Sequence, residues 1–429
     1  MSREMKHSGI PWIGEVPKSW EVVRNKNVFS NSKTLVGENW NNTQLLSLTT
    51  KGIKPIAIGS TSGKVPDSYE TYQVVEKNNL VMCLFDLDCS AVFSGLSPIF
   101  GMISPAYKAL TVKEGYYPDF YAKWFEYIFD GRKFMFLSKN IRYSLTYDEF
   151  AALQIVAPSL SEQQKIAEFL DKKCGEVDEM IALQEQIIEE LKAYKQSVIT
   201  EVVTKGLNPN VPMKDSGIEW IGEIPEHWES ARIKNLSTMI SKGATPHTID
   251  KDAYEGNVRF IKCENISNNK LVNNRSYYIS PQINETMKRS QLAENDILFV
   301  IAGATIGKTA IVKKDFLPSN TNQAVSFIRL KNAKNVKFLW YVLQSNVIQA
   351  PLWLDAVQSA QPNLSMEDLG NFNITIPIVD EQQSIANYLD KKCGEIDELI
   401  SIKQQKIESL KEYKKSIIYE YVTGKKEVV

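Results

Sequence analysis

Two stretches of the chain, 158–204 and 377–423, place their apolar residues on a single helical stripe. In the first the stripe is Ile166, Leu170, Val177, Ile181, Ile188, Leu191, Val198 and Val202. In the second it is Ile385, Leu389, Ile396, Ile400, Ile407, Leu410, Ile417 and Tyr421, position for position. Steps of three or four residues mix with steps of seven, a seam close to heptad period. No proline interrupts either stretch, so each is expected to be one helix of roughly 60 Å at about 1.5 Å per residue. Ser161 and Asp380 are the expected N-caps, with Gln164 and Gln383 closing capping boxes. Gly175 and Gly394 interrupt the stripes at matching positions, weaken each helix, and are expected to mark a bend or a close approach. Two unrelated amphipathic helices, each lying on its own domain, are the alternative. Equal length, seam and caps favour mutual packing as an intramolecular antiparallel coiled coil about a pseudo-two-fold axis.

The stripes belong to a larger repeat. Met5-Lys6, Ser8-Gly9-Ile10, Trp12-Ile13-Gly14-Glu15, Pro17 and Trp20-Glu21 recur as Met213-Lys214, Ser216-Gly217-Ile218, Trp220-Ile221-Gly222-Glu223, Pro225 and Trp228-Glu229. Between the repeated pieces lie two inserts, 25–157 and 233–376, that hardly resemble each other. Strands are expected at 80–85 and 98–104 in the first, and at 258–263, 296–301 and 324–330 in the second. Helices are expected at 116–129 and 336–344. The fold class is therefore α+β: two globular α+β domains separated by two long antiparallel helices. The expected division is 1–157, first domain with its N-terminal frame; 158–206, central helix; 207–376, linker, repeated frame and second domain; and 377–429, C-terminal helix.

Composition changes this picture little. At 43% hydrophobic and 24% charged residues the chain reads as an ordinary globular protein. The polar start Met1-Ser2-Arg3-Glu4 is followed by no apolar run, so no signal peptide is expected. The most apolar run, 297–306, is too short to span a bilayer. Five cysteines without a CxxC pair point to a reduced, cytoplasmic setting. Net charge is −1, but it is unevenly spread. Segment 233–376 carries 16 Lys/Arg against 11 Asp/Glu, segment 158–206 carries 6 against 10, and segment 25–157 carries 13 against 12. Local positive charge of this kind permits the inserts to bind nucleic acid.

Catalytic chemistry is thin. Ala302-Gly303-Ala304-Thr305-Ile306-Gly307-Lys308-Thr309 approximates a P-loop, but its first glycine is Ala302 and Ala310-Ile311-Val312 reads as a strand. A strand-turn-strand with Lys308 toward phosphate is the expected structure. Three histidines (His7, His227, His247) and the cysteines form no metal-ligand spacing. Asp67 and Asp119 lack the following acid-x-Lys of a nuclease, and Asp86 and Asp88 punctuate a loop. The insert tails align as Lys139-Asn140-Ile141-Arg142-Tyr143-Ser144-Leu145 on Gln358-Ser359-Ala360-Gln361-Pro362-Asn363-Leu364. The shared leucine holds the frame, and the differing residues are types that bond base edges or phosphates.

The frame Ser-Gly-Ile-x-Trp-Ile-Gly-Glu-x-Pro-x-x-Trp at 8–20 and 216–228 resembles the specificity subunits of type I restriction–modification systems. So does the tail from Leu364 through Glu-Gln-Gln to Asp390, with a looser copy from Leu145 to Asp171 in which Phe150 replaces the leucine at 369. The resemblance covers essentially the whole chain in order. It implies two target-recognition domains reading the halves of a split double-stranded DNA sequence; a rigid antiparallel helix pair between them is expected to set the half-sites about one helical turn apart. It also implies helices that dock two methyltransferase (M) subunits and, through them, restriction (R) subunits. On that reading the chain is not itself an enzyme and needs no cofactor or metal. The candidate DNA contacts are Lys51, Lys54, Lys139, Asn140, Arg142 and Tyr143 in the first insert. In the second they are Lys242, Thr245, Lys262, Lys308, Asn322, Gln323, Gln358, Ser359, Gln361 and Asn363. A coiled-coil adaptor that binds only proteins, and a P-loop nucleotide hydrolase, are the competing readings.

Overall fold

Both apolar stripes fold as continuous helices, Leu160–Lys205 and Val379–Val422. The computed structural model describes residues 3–32, 34–50, 52–60, 66, 68–87, 90, 93–130, 133, 143–245, 256–274, 276–357 and 363–428. The chain divides into two units, Met1–Glu185 with Gln405–Val429, and Gln186–Gln404, so each unit holds part of both helices. In the first unit the Phe169 ring meets that of Tyr421, tilted, at 4.4 Å and Asp178 pairs with Lys414 at 2.8 Å. In the second, Lys195 meets Asp397 at 2.7 Å, and Gly206 lies against Glu381. Advancing along one helix is retreating along the other, so the segments are antiparallel in both units.

The stripe supplies the buried side of each helix. Ile166, Leu170 and Val177 in one helix, and Ile385, Leu389 and Ile396 in the other, are all at most 3% exposed. Ile181, Leu191, Ile400 and Tyr421 are half-buried. On the solvent side, Lys/Glu pairs three residues apart (173/176, 189/192, 408/411, 412/415) are weak, water-screened contacts along one helix face.

The expected caps are displaced. The first helix is capped by Ser159, whose hydroxyl accepts from the Glu162 amide at 3.3 Å, not by Ser161. The second helix begins at Val379, ahead of Asp380. The middle glutamine of each Glu-Gln-Gln ties the helix start to the preceding chain by a different bond from the expected capping box: buried Gln163 and Gln382 donate to the Pro158 and Pro377 carbonyls, both at 2.8 Å. Gly175 and Gly394 mark no close approach, because a Cβ at either would meet open space.

The repeated frame is a hairpin followed by a strand. Met5–His7 pairs with Glu15–Pro17, and Met213–Asp215 with Glu223–Pro225, in the same register. The Ser8 and Ser216 hydroxyls accept from Ile10 and Ile218, both at 3.1 Å, and Gly14 and Gly222 turn the chain back at φ +70° and +71°. Each insert is then closed by pairing the strand before it to the strand after it: Glu21–Arg24 with Gln154–Ala157, and Glu229–Arg232 with Asn373–Ile376.

Inside that closure the two inserts share one topology, despite their unlike sequences. The first has an antiparallel sheet in the order Phe29–Asn31, Lys108–Val112, Leu80–Met82, Ser94–Leu96. The second repeats it as Ser237–Lys242, Val325–Leu330, Ile297–Val300, Thr309–Ile311. A second sheet in each joins two strands in parallel, Leu45–Thr49 with Gly101–Ile103, and Val258–Ile261 with Ser319–Thr321. The helices Pro118–Asp130 and Val336–Gln344 cover the cores. There Trp20 meets Phe120 edge-on at 6.4 Å, as Trp228 meets Phe338 at 6.5 Å.

Candidate nucleic-acid interface

In the second unit the strand register carries most of the described candidates to one edge of the paired sheets. Lys242 ends the strand opposite Ser326, and the Thr245 hydroxyl bonds the Gln323 carboxamide one turn beyond. Lys262 follows the strand whose last residue, Ile261, accepts at 2.9 Å from Thr321, so it neighbours Asn322. Lys308 precedes the strand opposite Phe299, with its carbonyl accepting from Val300 at 2.8 Å. Asn363 bridges to Ala302, and Leu364 donates to Ile301 at 2.8 Å. Lys242, Thr245, Lys308, Gln323 and Asn363 are exposed, and Lys262 and Asn322 are half-buried. Gln358, Ser359 and Gln361 lie outside the described residues.

The cations differ in their freedom. Lys262 places its ammonium 3.6 Å from the centre of the Tyr277 ring, a cation–π contact that fixes its direction. Arg329, also in this insert, belongs to the opposite end of the sheet. It forks onto fully buried Asp296 at 2.7 and 2.8 Å, and this pairing raises the guanidinium further. Beside Lys262, burial and neighbouring Glu264 push the Cys263 thiol up. Burial would also raise Glu264, but its own backbone amide, Tyr277, Cys263 and Lys262 hold the carboxyl below its usual range.

The stretch approximating a P-loop is a pair of turns between strands. Ile306 donates to Gly303, Lys308 to Thr305, and the chain continues as Thr309–Ile311. A phosphate-binding loop opens a helix whose first amides hold the anion; this one opens a strand.

In the first unit Lys54 is exposed on Gly52–Ile56, opposite Ser47. Tyr143 is exposed at φ 45°, and its carbonyl accepts from Leu87 at 3.1 Å. Leu145 donates to Leu84 at 2.7 Å, the counterpart of Leu364 on Ile301, so the aligned tails return to the same strand end. Lys51, Lys139, Asn140 and Arg142 lie outside the described residues, as do Asp67, Asp88 and Cys89. Sequence reasoning missed Phe85 and Tyr107, whose rings join two loops of this edge at 5.9 Å. In the second unit it missed Asn269 and Gln349, which hold the 302–308 loop. The glycine pair at 303 and 307 was the available signal for a constrained loop there.

Among the described residues no group of three or more His, Cys, Asp or Glu side chains is arranged to hold a metal, and no helix is long and apolar enough to cross a membrane.

The type I restriction modification DNA specificity domain matches this chain twice, at residues 17–193 and 225–412. The type I restriction enzyme MjaVIII specificity subunit of Methanocaldococcus jannaschii is 28% identical over 280 residues, 64% of this chain and 63% of that protein. The EcoBI specificity subunit of Escherichia coli is 28% identical over 249 residues, 56% of this chain and 52% of that protein. The chain thus aligns with between half and two thirds of these curated relatives' length. A chain from a solved structure addressing complex assembly and conformational transition of the type I R-M system shares the fold. It has a TM-score of 0.72 at 16% identity, over 95% of this chain and 99% of that one.

Proposed function

The chain belongs to the type I restriction modification DNA specificity family, and from that premise we propose that it is the sequence-reading, non-catalytic subunit of a cytoplasmic type I restriction–modification complex. Each insert reads one half of a bipartite double-stranded DNA target through the sheet edge described above. Cationic Lys54, Lys242, Lys262 and Lys308 meet phosphates; Tyr143, Thr245, Asn322, Gln323 and Asn363 lie where base edges are read. The four-part division 1–157, 158–206, 207–376 and 377–429 corresponds on this reading to reader, helix, reader, helix. The observation that carries the proposal is one strand order built twice from unlike sequences, with the described candidate side chains of the second unit gathered at one edge. A shared scaffold with divergent faces suits two different half-sites.

Partners follow from the long helices. The first unit exposes Met180, Leu183 and Tyr413, and the second exposes their repeat equivalents Leu399, Ile402 and Tyr194. One apolar set per unit suits two copies of a methyltransferase subunit, with restriction subunits joining through them. Trp20 and Trp228 are fully buried and take no part in docking, whereas Trp220 is 53% exposed. Methylome sequencing of cells expressing this chain with a cognate methyltransferase tests the reading. A split, gapped motif is expected, and replacing 25–157 by another family insert should change one half of it only. Methylation without a split motif, or a change in both halves, would refute it.

A further inference from the structure

Two carboxamides fix the loop 302–308 from behind. The Gln349 side chain donates to the Gly307 carbonyl at 3.0 Å and to the Leu343 carbonyl at 2.7 Å. Asn269 accepts from the Thr309 amide at 3.3 Å and donates to Gln344 at 2.8 Å. Gln344 is tied in turn through its carbonyl to Gln196 of the central helix, at 2.6 Å. Gly307 stands at φ +89°, and a Cβ there would lie 2.4 Å from the Gln349 carboxamide oxygen and 3.0 Å from Leu352. The absent side chain is thus what lets Gln349 approach. The loop is held besides by its own turns, by the Ala302 bridge to Asn363 and by the buried Ile306 side chain, and its tip, Ala304 and Thr305, reaches the same edge as Lys308 and Asn363.

We propose that Gln349 is a positioning residue for base reading by the second unit: it sets the conformation of the 302–308 loop, and with it the bases preferred at one half-site, without touching DNA. The inference rests on the DNA-reading function proposed above. A carboxamide with both donors spent on carbonyls is held in one orientation, and the loop it grips gains that rigidity. Side chains that discriminate bases must be placed within fractions of an ångström, so loosening the grip blurs discrimination while leaving phosphate attraction intact.

The test is selection of the full-length chain on a duplex library randomised at both half-sites, comparing wild type with Gln349→Met, which keeps length and removes the donor. Preference at the second unit's half-site should fall about tenfold, the low end of what one bidentate base contact supplies. Preference at the other half-site should match wild type, whatever the two lost hydrogen bonds take from the melting temperature. Should Gln349→Met not fold, Gln349→Glu keeps the size and sets a carboxylate against the Gly307 carbonyl; the same one-sided loss is expected. Unchanged preference at both half-sites, or an equal loss at both with a lowered melting temperature, would overturn the inference. A wild-type chain with no preference at either half-site would instead overturn the DNA reading itself.

Discussion

Lys195 and Asp397 meet across the two long helices at 2.7 Å, and their repeat equivalents, Lys414 and Asp178, meet at 2.8 Å. Each lysine is the less exposed partner, at 24% and 23% against 43% and 57% for the aspartates. Burial would lower the Lys414 ammonium, but the bond to Asp178 and the Glu126 and Asp178 charges outweigh it and leave it raised. The same pair built twice, with donor and acceptor exchanged between helices, is the signature of antiparallel repeats.

The pairs therefore specify orientation more than they stabilise. A double-mutant cycle on Asp178 and Lys414 should give a coupling of about 0.5–1 kcal/mol, as for partly exposed pairs. Asp178→Lys alone should cost more than Asp178→Ala, and the exchange Asp178→Lys with Lys414→Asp should recover most of the loss. Urea unfolding checks this; an exchange no better than the single changes would remove the pair's role.

Gly175 and Gly394 sit in helix interiors with open space where a Cβ would stand. Alanine at either site should stabilise by about 0.5–1 kcal/mol, through backbone entropy and helix propensity alone. Thermal unfolding of the two variants and their double should show additive gains. A loss at either site would mean that a function requires the gap.

The repeat made the scaffold legible: identical frame residues predict identical hairpins, and the seam predicts the helices to within two residues at each start. The common topology of the inserts was not legible. Sheet cores accept any apolar residue of suitable volume, so Phe120 and Phe338 hold equivalent places with almost nothing shared around them. Candidates adjoining strands, such as Lys242 and Lys308, could be placed because strand ends are punctuated in sequence. Gln349 could not, because its role depends on a helix returning to a glycine 42 residues earlier.

Glu381 joins the C-terminal helix to the repeated frame by accepting from the Trp228 indole at 3.2 Å and bonding His227 at 2.8 Å. Trp228 is fully buried, so Glu381→Ala leaves its N–H without a partner, at a cost of about 1–3 kcal/mol. Its equivalent Glu162 bonds Arg3 instead, while the Trp20 indole N–H has no partner among the described residues. Glu162→Ala should therefore cost less. Calorimetry on both variants separates the two; equal losses would contradict the asymmetry.

Burial, opposed by Lys195 and reinforced by Asp397 and Asp390, pushes the Cys393 thiol up to about 11 from 9.0. Its thiolate fraction at pH 8 should be about a hundredfold below that of an unperturbed cysteine, and alkylation of the folded chain correspondingly slow. Because the folded value lies above the unfolded one, the neutral thiol's contribution is complete below about pH 9 and is lost as pH rises toward about 11. Cys393→Ser should flatten that part of the stability–pH curve. An unchanged slope would place the loss elsewhere.

Lys308 and Asn322 separate attraction from reading at the proposed DNA edge. Lys308 is exposed at the mouth of the 302–308 loop, whereas Asn322 accepts from the Ala324 amide at 3.2 Å, and its carboxamide N–H has no partner among the described residues. A phosphate-bound lysine releases a counterion on binding, so Lys308→Ala should weaken binding alike on all sequences and lower the salt slope by about one. Asn322→Ala should leave the slope unchanged and relax preference at one position of a single half-site, by about 1–3 kcal/mol of discrimination. Affinities on cognate and substituted duplexes at four salt concentrations distinguish the two. If Lys308→Ala alters base preference and leaves the slope intact, the lysine reads bases and the loop is turned toward the groove floor, not toward the backbone.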